Sequence, residues 1–63
     1  MNRIKEIREE KKISQNQLAR IAGISQPYLC DLERNRRWAK PETFQKIADA
    51  LNVPVSSLLR EAI

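Results

Sequence analysis

The chain holds few groups capable of covalent chemistry. It contains no histidine and one cysteine, Cys30. A histidine-assisted serine or cysteine nucleophile therefore cannot be assembled, and a structural zinc site lacks ligands. Carboxylates remain, but 63 residues leave little room for a substrate cleft. An enzyme is the poorest reading, and neither cofactor, metal nor small-molecule ligand is expected. Cations are what the sequence supplies. Twelve Lys and Arg stand against eight Asp and Glu, a net charge of +4. Such a balance favours a nucleic acid or another anionic surface. Four of the cations bunch at Arg34, Arg36, Arg37 and Lys40, with Asn35 among them.

Residues 1–63 read as one domain, small enough that its stability margin is thin. A lone cysteine forms no internal disulfide, which fits a reducing compartment. No apolar run reaches the ~20 residues that span a bilayer, and no signal-peptide pattern opens the chain. A cytoplasmic, nucleoid-associated protein without membrane contact is expected. The opening Met and the lack of a terminal linker argue against a fragment of a longer protein.

The elements that must position these groups are helical. Ile4, Ile7, Arg8 and Lys11 form one stripe of a first helix, interrupted by Arg8. Ser14 and Gln17 make an S-x-x-Q capping box that starts a second helix at about Gln15, with Leu18, Ile21 and Ala22 inward. Gly23, the only glycine, ends it. Ser25 caps a third helix, Pro27 falls in its first turn, Leu29 and Leu32 face inward, and Asn35 is its left-handed terminator. Pro41 opens a fourth helix carrying Phe44, Ile47, Ala48 and Leu51, closed by Asn52. A fifth follows Pro54, with Leu58, Leu59 and Ala62 on its apolar side. The pattern predicts an all-α fold, a compact five-helix bundle of low contact order.

The segment from Gln15 to Arg34 resembles the Cro/repressor-type (XRE-like) helix-turn-helix DNA-binding family. Leu18, Ala19, Gly23, Ile24, Leu29 and Leu32 carry the match. Ala19 is small where two helices cross closely, Gly23 allows the tight turn, and the larger residues pin the second helix of the motif to the core. Thr43 to Val53 follows the family's fourth helix, so the resemblance covers nearly the whole chain.

The resemblance implies that the helix from about Ser25 to Arg34 lies in the major groove. Helical geometry agrees, because Pro27, Asp31 and Arg34 fall opposite Leu29 and Leu32. Gln26 is the first choice for direct readout through adenine N6 and N7; otherwise it only helps to cap the helix. Pro27 either packs on a thymine methyl or merely starts the helix. Asp31 either accepts from cytosine N4 or pairs locally with Arg34 or Arg20. Cys30, grouped with these base-reading candidates, is a small space-filler at the edge of the face. Tyr28 is assigned to phosphate or sugar, against partial core packing.

Gln15 stands where its amide and the helix-end N–H groups can meet one phosphate. In the family, the loop holding Arg34, Asn35, Arg36, Arg37 and Lys40 runs along the phosphates, usually with glycine where Asn35 stands. Relatives also join the positions of Arg8 and Glu33 by a partly buried salt bridge, which is architecture rather than readout. Trp38 is expected to cover the junction of the third and fourth helices, rather than to stack on DNA.

These expectations describe a sequence-specific transcriptional regulator, most simply a repressor, bound as a homodimer to a palindromic operator. Leu59 and Ile63 on the last helix are candidates for the dimer surface, unless they pack on the first helix. The alternative function is a helical protein-interaction module or antitoxin-like partner with weak DNA binding, a reading that Asp31 and Pro27 favour.

Overall fold

The structure, a computed structural model, describes residues 2–59. Four helices follow one another with short connections: α1 (Ile4–Glu10), α2 (Gln15–Ala22), α3 (Gln26–Glu33) and α4 (Pro41–Leu51). The expected fifth helix is instead a 3-10 turn, Val55–Leu58. It delivers Leu58 to the core, after which the backbone extends and Leu59 forms an isolated antiparallel bridge with Asn2. Ala62 and Ile63 lie outside the described residues.

Local chemistry sets the helix ends. Ser14 Oγ accepts from the Gln17 N–H at 3.0 Å while Gln17 Oε1 accepts from the Ser14 N–H at 3.0 Å. Two of the donors that a helix start leaves unpaired are thereby satisfied. Gly23 ends α2 at φ 74°, a left-handed conformation that a side chain makes unfavourable. Two residues later Ser25 Oγ accepts from the Tyr28 N–H at 3.2 Å and starts α3. Asn35 and Asn52 take the left-handed positions after α3 and α4, at φ 60° and 58°.

The core joins Ile4 and Ile7 of α1, Leu18, Ala19 and Ala22 of α2, Leu29 and Leu32 of α3, Ile47, Ala48 and Leu51 of α4, and Leu58. α2 packs against both α3 and α4. That double contact corrects one inward assignment: Ile21 is 62% exposed. The buried arc of α2 runs from Leu18 through Ala22 to Ala19, and Ile21 lies roughly 100° from its middle. The start of the chain is tied to the end of α3. Asn2 Nδ2 donates to the Leu32 carbonyl at 2.9 Å and to Asn35 Oδ1 at 3.3 Å, and the Arg3 N–H donates to the Leu58 carbonyl at 2.8 Å.

Candidate nucleic-acid interface

α3 is held by two buried leucines, Leu29 and Leu32, and its outward side is the candidate surface. Gln26 and Pro27 are exposed in its first turn, Cys30 and Asp31 are half-buried one turn later, and Arg34 is exposed just past its end. Tyr28 is half-buried and packs against the core edge. Asn35, Arg36, Arg37 and Lys40 are exposed in the connection to α4. Apart from Gln15 on α2, the sequence candidates thus lie exposed or half-buried along α3 and the loop after it.

The loop folds back on the helix. The left-handed turn at Asn35 reverses the chain, and the Arg36 N–H donates to the Asp31 carbonyl at 2.8 Å. Arg37 then reaches Asp31, with Nε 3.3 Å from Oδ2. Its guanidinium also lies 5.8 Å from the centre of the Tyr28 ring, within cation–π range. The ion-pair partner of Asp31 is therefore Arg37, in place of the expected Arg34 or Arg20. Arg34 was within helical reach and Arg20 stood on the neighbouring helix, but Arg37 reaches the carboxylate because the loop reverses at Asn35. Arg37 is exposed and Asp31 only half-buried, so the pair shapes the local field more than it stabilises the fold.

A second charged group lies behind this face. Arg8 Nε donates to Glu33 Oε2 at 2.8 Å, Nη2 donates to Oε1 at 3.2 Å, and Nη1 donates to the Ile13 carbonyl at 2.9 Å. The Arg8 and Glu33 side chains retain only 12% and 2% of their exposure. The hydrogen bond to Glu33 holds the guanidinium above its ordinary pKa, against the opposing effect of burial. Glu33 Oε1 also accepts from Gln15 Nε2 at 3.1 Å. This contact was not visible in the sequence: Gln15, the candidate phosphate contact at the start of α2, is oriented by the last residue of α3. One carboxylate links α1, α2 and α3.

Trp38 corrects a further expectation. It does not cover the α3–α4 junction but is 95% exposed, while Ala39 and Phe44 pack against the core there. Asn2, which no motif singled out, borders the same region through Asn35.

Two helices joined at a left-handed glycine, the second anchored by leucines and displaying its opposite face, define a helix-turn-helix domain. Residues 4–58 match the family described as helix-turn-helix, and the chain belongs to that family. It is 44% identical over 59 residues to the immunity repressor protein of Bacillus phage phi105, an alignment covering 94% of this chain and 41% of that protein. The chain therefore spans less than half the length of that relative. The N-terminal DNA-binding domain of SinR from Bacillus subtilis superposes with a TM-score of 0.84 at 38% identity, covering 94% of this chain and 87% of that domain. SinR, the master regulator of biofilm formation, in complex with DNA superposes with a TM-score of 0.82 at 36% identity, covering 87% and 89% of the two chains. Among the described residues no helix is long and apolar enough to cross a membrane.

Proposed function

We propose that this chain is a sequence-specific double-stranded DNA-binding domain of a transcriptional regulator, acting as a repressor in the nucleoid. α3 enters the major groove, where Gln26 reads base edges with Pro27, Cys30 and Asp31 beside it. Arg34, Asn35, Arg36, Arg37 and Lys40, with Tyr28 and Gln15, hold the phosphates and supply the salt-dependent part of the affinity. The chain binds as a homodimer to a palindromic operator with half-sites about 34 Å apart. The observation that carries this reading is the exposed first turn of α3 followed by an exposed basic loop that folds back on the helix at Asp31. Two relatives support it: a phage repressor by name, and a regulator solved on DNA.

Selection from a random duplex pool near physiological salt tests the reading. The expected result is enrichment of an inverted repeat. A pool that emerges without any enriched sequence would shift the assignment to a protein-interaction module.

Asp31 sets a finer expectation. Its carboxylate repels phosphates and occupies Arg37, which lies 3.3 Å away. Asp31→Asn removes the repulsion and frees that guanidinium. A unit charge near a surface phosphate is worth about 1 kcal/mol in water, so affinity for arbitrary duplexes should rise about fivefold at low salt. The salt dependence should steepen by up to about one in log–log slope, because the carboxylate no longer competes with phosphate for the Arg37 guanidinium. Anisotropy titrations of a labelled non-operator duplex measure both quantities; unchanged values would place Asp31 outside the DNA-facing field.

A further inference from the structure

Asn2 is half-buried, and its side-chain amide is committed at both ends. Oδ1 accepts from the Ile4 N–H at 3.1 Å, and Nδ2 donates to the Leu32 carbonyl at 2.9 Å. A backbone N–H can only donate and a carbonyl can only accept, so these partners fix which end of the amide is which. The second hydrogen of Nδ2 meets the side chain of Asn35, 3.3 Å away. The Asn35 atom facing it must therefore be the acceptor, Oδ1, and Nδ2 of this exposed residue is left to donate outward. The backbone of Asn2 is secured as well. It bridges to Leu59, and the neighbouring Arg3 N–H donates to the Leu58 carbonyl.

We propose that Asn2 is a positioning residue of the DNA-binding loop, setting the Asn35 amide so that its Nδ2 donates to a backbone phosphate. The proposal rests on the DNA-binding reading above. Polarity is the reason the setting matters. With its oxygen outward the amide turns a lone pair on the phosphate, whereas with its nitrogen outward it offers a donor to an anion. Without the Asn2 donor, the Asn35 amide loses that orientation and rotates in solvent. Asn35 also forms the left-handed turn, at φ 60°, that reverses the chain towards Arg36 and Arg37. A glycine would reach that angle more easily but has no amide to offer. The asparagine thus supplies both the turn and the donor, and the donor is aimed from the opposite end of the sequence.

Asn2→Ala, Asn35→Gly and the double variant are compared with the parent by anisotropy, on an enriched duplex and on a non-operator duplex. Each single substitution should weaken both duplexes by about tenfold, the worth of one hydrogen bond to a charged group. The preferred sequence should stay the same, because phosphates carry no base information. The salt slope should also hold, since no cation is lost. The deciding comparison is the double variant, which should bind no more weakly than Asn35→Gly. A further loss of about tenfold there overturns the proposal, because Asn2 would then act through Leu32 or touch DNA itself. Unchanged affinity of Asn2→Ala overturns it too. If Asn2→Ala does not fold, circular dichroism shows it, and NMR of the parent decides instead. On the duplex, the Asn35 side-chain NH2 resonances should shift further than those of Asn2, whose two hydrogens are already engaged. The reverse order refutes the assignment. A parent that binds neither duplex fails the DNA-binding reading first, and this inference with it.

Discussion

Replacing Glu33 with alanine should destabilise the domain by about 3 kcal/mol, the low end of the range for removing one member of a buried ion pair, because this pair is only partly buried. The effect follows from what the substitution leaves behind. Arg8 keeps its charge and only 12% of its side-chain exposure, yet retains just the Ile13 carbonyl as an acceptor. Gln15 loses its contact with Glu33 at the same time. A domain of 63 residues has roughly 3–9 kcal/mol of stability in all, so the loss should take about a third or more of it and lower the urea midpoint markedly. Urea unfolding monitored by circular dichroism measures the loss. Replacing both partners, Arg8→Met with Glu33→Leu, should recover most of it, because an apolar pair leaves no stranded charge. If the single and double variants unfold at the same urea concentration, the orphaned guanidinium is not the cause.

Gln26→Ala should have the largest effect on sequence discrimination, about 1–3 kcal/mol at one or two base positions. The stability of the fold should hardly change. Gln26 is exposed, and the start of α3 is capped by Ser25, not by the glutamine. Repeating the duplex selection with the variant would show relaxed preference at those positions and none elsewhere, while thermal unfolding stays within about 0.5 kcal/mol of the parent. An unchanged preferred sequence and affinity would mean that α3 does not read bases through its first turn.

What the sequence made legible was local. The capping box at Ser14 and Gln17, the glycine turn, the Ser25 cap and the left-handed asparagines each depend on residues a few positions apart, and the helices begin and end there. Packing was less legible. Ile21 is as apolar as its neighbours, and only the crossing of α2 with α3 and α4 decides which residues the core takes. Trp38 shows the same limit from the other side, since apolarity suggests burial while its position in the loop leaves it in solvent. After Pro54, a tighter 3-10 turn brings Leu58 inward and leaves Leu59 pairing with Asn2, an outcome that apolar spacing does not distinguish from helix. The Arg37 clasp on Asp31 and Tyr28, and the hold of Glu33 on Gln15, required the chain to reverse or the helices to meet. The Arg8–Glu33 pair was suggested by family resemblance, because twenty-five residues separate its members.

α3 divides its tasks between its two sides. Leu29 and Leu32 anchor it, while Gln26 and Pro27 are exposed and Cys30 and Asp31 are half-buried outside the core. Inheritance can therefore act on the two sides separately. Substitutions at these four outward positions change what the helix offers a partner while the leucine anchor persists, so a lineage can acquire a new target without first acquiring a new scaffold.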